Sequence, residues 1–259
     1  MGRSPLQLAE DLVEILMTAS SPTENSPNSE PLTSCFQIEV APAGWIYFRL
    51  LPSGLSCWLQ LLLDSVLPGF SGSSNLLRDA QPCNPMATFV RDSTNVFPIL
   101  HAYARCHSFL RLGQQLGLLN GSLGGSTDRN TDLEPDLEPD CLWQIQQPHP
   151  CPWLLPHGSF RSSHPAEWQL VEQLCATLDG MVEVGIWDEE ALPHRQAVLK
   201  QADRLSQTWQ TFYAACRIAD GTQHFDPAQA QVRLGLTCIT QKLLHGLLRS
   251  IGLPTPLFL

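Results

Sequence analysis

The sequence predicts a mainly helical chain, in which a small α+β unit precedes a C-terminal helical bundle. Three observations carry that reading. Apolar residues recur every three or four positions through several long segments of 98–259, which is the spacing of helices with one buried stripe. Apolar and polar residues alternate over 36–40 and a second β-type run follows within a few residues, the pattern of a hairpin. Within 98–259, residues 122–163 are acidic and Pro-rich and keep neither period, so they read as an insert in the bundle.

Taken in order, Leu8, Leu12, Ile15 and Leu16 predict a first helix over 5–18. Residues 20–34, rich in Ser, Pro, Asn and Glu, predict a mobile loop. Phe36, Ile38 and Val40 alternate with Gln37 and Glu39, and after Ala41-Pro-Ala-Gly44 comes Trp45-Ile-Tyr-Phe-Arg-Leu50, giving a hairpin expected to bury one face. Pro52 suits the first turn of a helix carrying Leu55, Trp58, Leu59, Leu62 and Val66, which closes the α+β unit at about residue 67. Residues 68–97 lack a period and form a linker. A helix is expected from Ile99 to about Leu119, and another opens at His164-Pro-Ala-Glu-Trp168 with Leu170, Leu174 and Leu178 inward. Over 193–219 the residues Val198, Ala202, Leu205, Trp209, Phe212 and Cys216 make one stripe. Asp226-Pro227 caps a last helix with Val232, Leu236, Ile239, Leu243 and Leu247, ended by Gly252 and Pro254.

The 259 residues are 43% apolar, enough for one large domain or two small ones with a packed core. No uncharged apolar run reaches the roughly 18 residues of a membrane span. Glu10, Asp11 and Glu14 inside the first apolar stretch fit neither a signal nor a transit peptide, so a cytoplasmic setting is expected. Nine scattered cysteines, none in Cys-x-x-Cys spacing, suit a reducing compartment. The formal charge of −10 is local: 128–140 holds six acids and one arginine, within a tandem Asp132-Leu-Glu-Pro135, Asp136-Leu-Glu-Pro139. Proline at every fourth position and like-charge repulsion make this an extended, solvated stretch.

The tools of catalysis are missing. There is no Gly-rich phosphate loop, no Gly-x-Ser-x-Gly and no His-Glu-x-x-His. Leu123-Gly-Gly-Ser126 follows no predicted strand and leads into the acidic insert, so it reads as a flexible turn. Cys141, His149, Cys151, His157 and His164 fall close together, yet their spacings match no zinc pattern; no metal and no cofactor is expected. His101 and His107 are six apart and do not share a helical face, and Arg105 suits either a nucleic-acid contact or a helix-packing ion pair.

The run Pro98-Ile-Leu-His-Ala-Tyr103-Ala-Arg105-Cys-His-Ser108-Phe-Leu110-Arg111 resembles the segment of arginyl-tRNA synthetases that enters their C-terminal DALR anticodon-binding domain. His164-Pro-x-Glu167, Trp209-x-x-Phe212-Tyr213-x-x-Cys216-Arg217-Ile218, Arg233-Leu234 and Gly246-Leu247-Leu248-x-x-Ile251-Gly252-Leu253-x-x-Pro256 follow in the family's order. Independently, 36–50 resembles the hairpin of the same enzymes' N-terminal additional domain. The resemblance implies a helical DALR-type bundle, with Tyr103, Tyr213 and Leu259 as a candidate anticodon pocket and Arg105, Arg111 and Arg217 near phosphates. Tyr47 stands where the family's hairpin has asparagine, and Leu259 where the family ends in methionine.

The synthetases' class I core, with its ATP-binding motifs, is not here: only 68–97 separates the two resembling ends, and both lysines, Lys200 and Lys242, lie in the last helices. Adenylation needs preorganised cations around the phosphate. Arginine–tRNA ligase activity is therefore expected to be absent. Two functions remain, a non-catalytic tRNA (anticodon)-binding module and a protein-interaction adaptor that kept the fold and lost the RNA. The expected partners are tRNA or a protein; no membrane and no DNA partner is expected.

Overall fold

The computed structural model describes residues 3–19, 35–65, 96–124, 142–183, 195–218, 226–253 and 255–256. The 20–34 loop, most of the linker, the Asp-Leu-Glu-Pro repeat, Pro254 and Leu259 lie outside the described residues. The described residues form six helices and two separate two-stranded antiparallel sheets, so the chain is mainly helical. It divides into two compact units that are not consecutive in sequence, one of 1–61 with 153–161 and one of 62–152 with 162–259.

In the first unit, α1 (Pro5–Ala19) starts with a reciprocal capping pair: Gln7 N donates to Ser4 Oγ and Ser4 N to Gln7 Oε1, at 3.2 and 3.1 Å. The side that α1 buries is that of Ala9; its leucine-rich stripe, with Leu8, Leu12, Ile15 and Leu16, is exposed. Gly44 lets the hairpin turn approach the start of α1. Its φ is +82°, and a Cβ there would lie 2.7 Å from the Pro5 carbonyl oxygen.

β1 (Phe36–Val40) pairs with β2 (Ile46–Leu50) in the register Phe36↔Leu50 to Val40↔Ile46. The expected buried face is not found: Phe36, Trp45, Tyr47, Phe48 and Leu50 are all exposed, and Ile38, Val40 and Ile46 are only half-buried. Two strands alone cannot enclose a core. α2 (Pro52–Asp64) buries Leu55 and Leu59, and Trp153 Nε1 donates to Gln60 Oε1 at 3.0 Å.

The second unit is built around α6 (Pro227–Ser250), which is buried on all sides from Leu234 to Leu248. Asp226 caps it as expected, its side chain accepting from Ala228 N at 2.9 Å. Packed on it are α3 (Phe97–Gln115) and α5 (Arg195–Ala215), and α4 (Pro165–Glu183) lies along α5. Trp209 and Phe212 of α5 are core residues. α3 ends before the expected Leu119 because Gly117, at φ +67°, turns the chain, with Leu118 N donating to Gly113 O at 3.0 Å.

The reading of Leu123-Gly-Gly-Ser126 as a turn that follows no strand is corrected at Leu123 and Gly124, its last two residues lying outside the described ones. Asn120–Gly124 is a strand, β3, paired with β4 (Leu142–Gln147) from Asn120↔Gln147 to Gly124↔Leu142. Its composition has almost no strand propensity. The pairing is held instead by Trp143, which is buried against His107 with ring centroids 5.9 Å apart and whose carbonyl accepts from Cys238 Sγ on α6.

Candidate nucleic-acid interface

α3 and α5 each present a pair of side chains four residues apart where they meet. From α5, Trp209 and Tyr213 stack, with centroids 5.2 Å apart at 25°. From α3, Phe109 meets Tyr213 edge-on at 5.2 Å and 74°, and the guanidinium carbon of Arg105 lies over the Tyr213 ring, 5.6 Å from its centroid. Trp209 and Phe109 are buried, Tyr213 is half-buried and Arg105 is exposed. The cluster thus grades from core to solvent, its base anchored where Trp209 Nε1 reaches Thr237 Oγ1 of α6 at 3.5 Å. Arg105 makes no ion pair among the described residues. Its contact with aromatic carbon leaves its N–H donors available.

Of the residues expected at the site, Arg105 and Tyr213 come together. Tyr103 does not join them. It is fully buried, with its hydroxyl 3.3 Å from His245 Nδ1 on α6. Two residues from Arg105, it lies roughly 200° around the helix, on the core side, and offers no ring face to a base. Arg111 is exposed on another strip of α3, beside the buried His107, whose pKa is lowered by burial and then by the Arg111 charge. The Arg217 side chain is exposed, and its carbonyl accepts a hydrogen bond from the Arg233 guanidinium. Leu259 is outside the described residues.

Three residues were not assigned a part in the site from the sequence. Phe109 and Trp209 form the backing of the cluster, and their signal was the i, i+4 spacing of Arg105 with Phe109 and of Trp209 with Tyr213. The third is Glu167, fully buried at the start of α4. One carboxylate oxygen accepts from Ser163 N at 2.7 Å, Ser162 Oγ at 3.0 Å and His164 N at 3.1 Å. The other accepts from Arg233 Nε at 2.7 Å and Gln229 Nε2 at 2.9 Å, both on α6. Burial alone would raise its pKa; the Arg233 hydrogen bond, the Ser163 and His164 amides and the Arg233 charge outweigh that and hold it below the usual carboxylate value.

Of the histidines and cysteines near the Pro-rich stretch, Cys141 lies outside the described residues and the others each meet a different group. His149 lies 3.7 Å from Asp64, Cys151 Sγ donates to the Gln231 carbonyl, His157 bonds Ser159 at 2.6 Å, and His164 Nδ1 accepts from Ala166 N at 3.1 Å. No group of three or more metal-ligating side chains forms among the described residues. An open polar groove of about 510 Å³ lies between α4 and α5, where Thr208 and Thr211 turn their hydroxyls back onto their own helix. No described helix is long and apolar enough to cross a membrane. No family model, curated protein or solved structure matches the chain.

Proposed function

We propose that this chain is a non-catalytic, cytoplasmic RNA-binding protein of DALR type, which engages an anticodon loop of tRNA at the junction of α3 and α5 and carries no arginine–tRNA ligase activity. The observation that supports it is the exposed Arg105 resting on the half-buried Tyr213, backed by Trp209 and Phe109. Arginine and aromatic side chains on a rigid support are what single-stranded RNA loops use, because every base has a π-face and every nucleotide a phosphate. The overall charge of −10 opposes RNA, but six of the acids sit in 128–140 and 161–259 is near neutral, with ten acids and eight bases.

Gel-shift titration with tRNA at low salt tests the reading. A complex should form at micromolar protein and weaken as salt rises, with a shallow slope set by a few phosphates. Deleting Asp132 to Asp140 should tighten it by removing repulsion. The absence of a complex in both proteins would sink the proposal. Arginine-dependent ATP–pyrophosphate exchange above a contaminant control would overturn the non-catalytic part.

The second reading, a protein-interaction adaptor, is favoured by a different observation. The first unit exposes a dense set of large apolar side chains, among them Leu12, Ile15, Trp45, Tyr47 and Phe48. Exposed large apolar side chains in such number suit a protein contact better than an RNA one.

A further inference from the structure

The Tyr213 ring is already engaged by its neighbours. Trp209 stacks against it, Phe109 meets it edge-on, and the Arg105 guanidinium lies over it. A nucleotide base that entered this cluster would meet the guanidinium before it met the ring. Arg105 is exposed, has no carboxylate partner among the described residues, and sits at the outer end of an aromatic column whose inner end, Trp209, is buried and tied to α6.

We propose that Arg105 is the residue that stacks on an unpaired RNA base, and that Tyr213 is a positioning residue, which holds the guanidinium plane flat for that contact. This rests on the RNA-binding reading and makes it more specific. The planar guanidinium offers a delocalised face to a base and N–H donors at its rim to the flanking phosphate. Lysine has the same charge and no plane, so a site that needs only a cation accepts lysine and a site that stacks does not. Tyr213 acts through Arg105: a plane held against a ring has already lost the rotamer freedom that a free arginine gives up on binding.

The full chain and a fluorescein-labelled RNA stem-loop with an anticodon-type loop provide the test, with the fully paired stem as a control probe. Arg105→Lys should weaken stem-loop binding by roughly 5- to 150-fold, the range that one stacked base supplies, with an unchanged salt slope because the charge is kept. Tyr213→Leu should weaken it comparably. The double variant should lose little beyond either single one, because the two residues act as one unit. Neither change should alter binding of the paired stem. Wild-type affinity in Arg105→Lys would show that Arg105 serves only as a charge, and losses that add in the double variant would show that Tyr213 meets the base independently. Either result overturns the assignment while RNA binding stands. Failure of the unaltered chain to bind the stem-loop overturns the RNA reading itself.

Discussion

Glu167 joins two helices with one carboxylate. Three donors at the start of α4 share one oxygen, and two side chains of α6 share the other. Because its pKa is lower in the folded chain than in the unfolded one, the stability it contributes is complete above the unfolded value of about 4.3 and is lost as pH falls through the lower folded value. Glu167→Gln should therefore cost about 2–4 kcal/mol at neutral pH, since Arg233, half-buried, loses its anion and the charge-assisted hydrogen bond to it. The variant's unfolding midpoint should also depend less on pH below that value. Urea titrations over an acid series check both; equal pH dependence in the two proteins would show that the carboxylate is not held ionised. His164-Pro-x-Glu167 stood out in the sequence, yet its α6 partners, Gln229 and Arg233, lie more than 60 residues downstream, and no local pattern names them. Tyr103 and Tyr213 differ in the opposite way. The family resemblance made both candidates, whereas the helical position of Tyr103, on the strip shared by Ile99, Cys106 and Leu110, places it in the core.

At the level of elements, α5 and α6 were the most legible, because their apolar stripes are long and a buried stripe is what periodicity reports. The stripe of α1 has the same period and faces solvent, since period finds a face without naming what covers it. β3 was illegible for a third reason: Asn-Gly-Ser-Leu-Gly pairs because β4 and Trp143 hold it, a cause outside the segment. The close approach of α3 and α6 depends on Gly113, where an added Cβ would come within 2.6 Å of the Leu234 side chain. Gly113→Ala should accordingly destabilise the bundle by about 1–3 kcal/mol in spite of alanine's better helix propensity, as the leucine must leave its rotamer. Thermal unfolding checks the sign, and a stabilised variant would mean that Leu234 gives way freely.

Across the whole molecule, charge and apolar exposure are unevenly distributed. The acids of 128–140 lie between β3 and β4 in the second unit, while most of the exposed large apolar side chains belong to the first. The aromatic–arginine cluster belongs to the second unit and most of the exposed apolar side chains to the first. Removing 128–140 should leave the thermal midpoint almost unchanged, and a large drop on calorimetry would show that the segment packs on the bundle. The expectation follows from the pairing of Gly124 with Leu142, which brings the two ends of the intervening chain to neighbouring positions in a ladder. For such a closed loop each doubling of length costs only about 0.6 kcal/mol of closure entropy. The locus can therefore be shortened, lengthened or given foreign sequence at small thermodynamic cost, so the chain can change what it displays there without refolding the helices beneath.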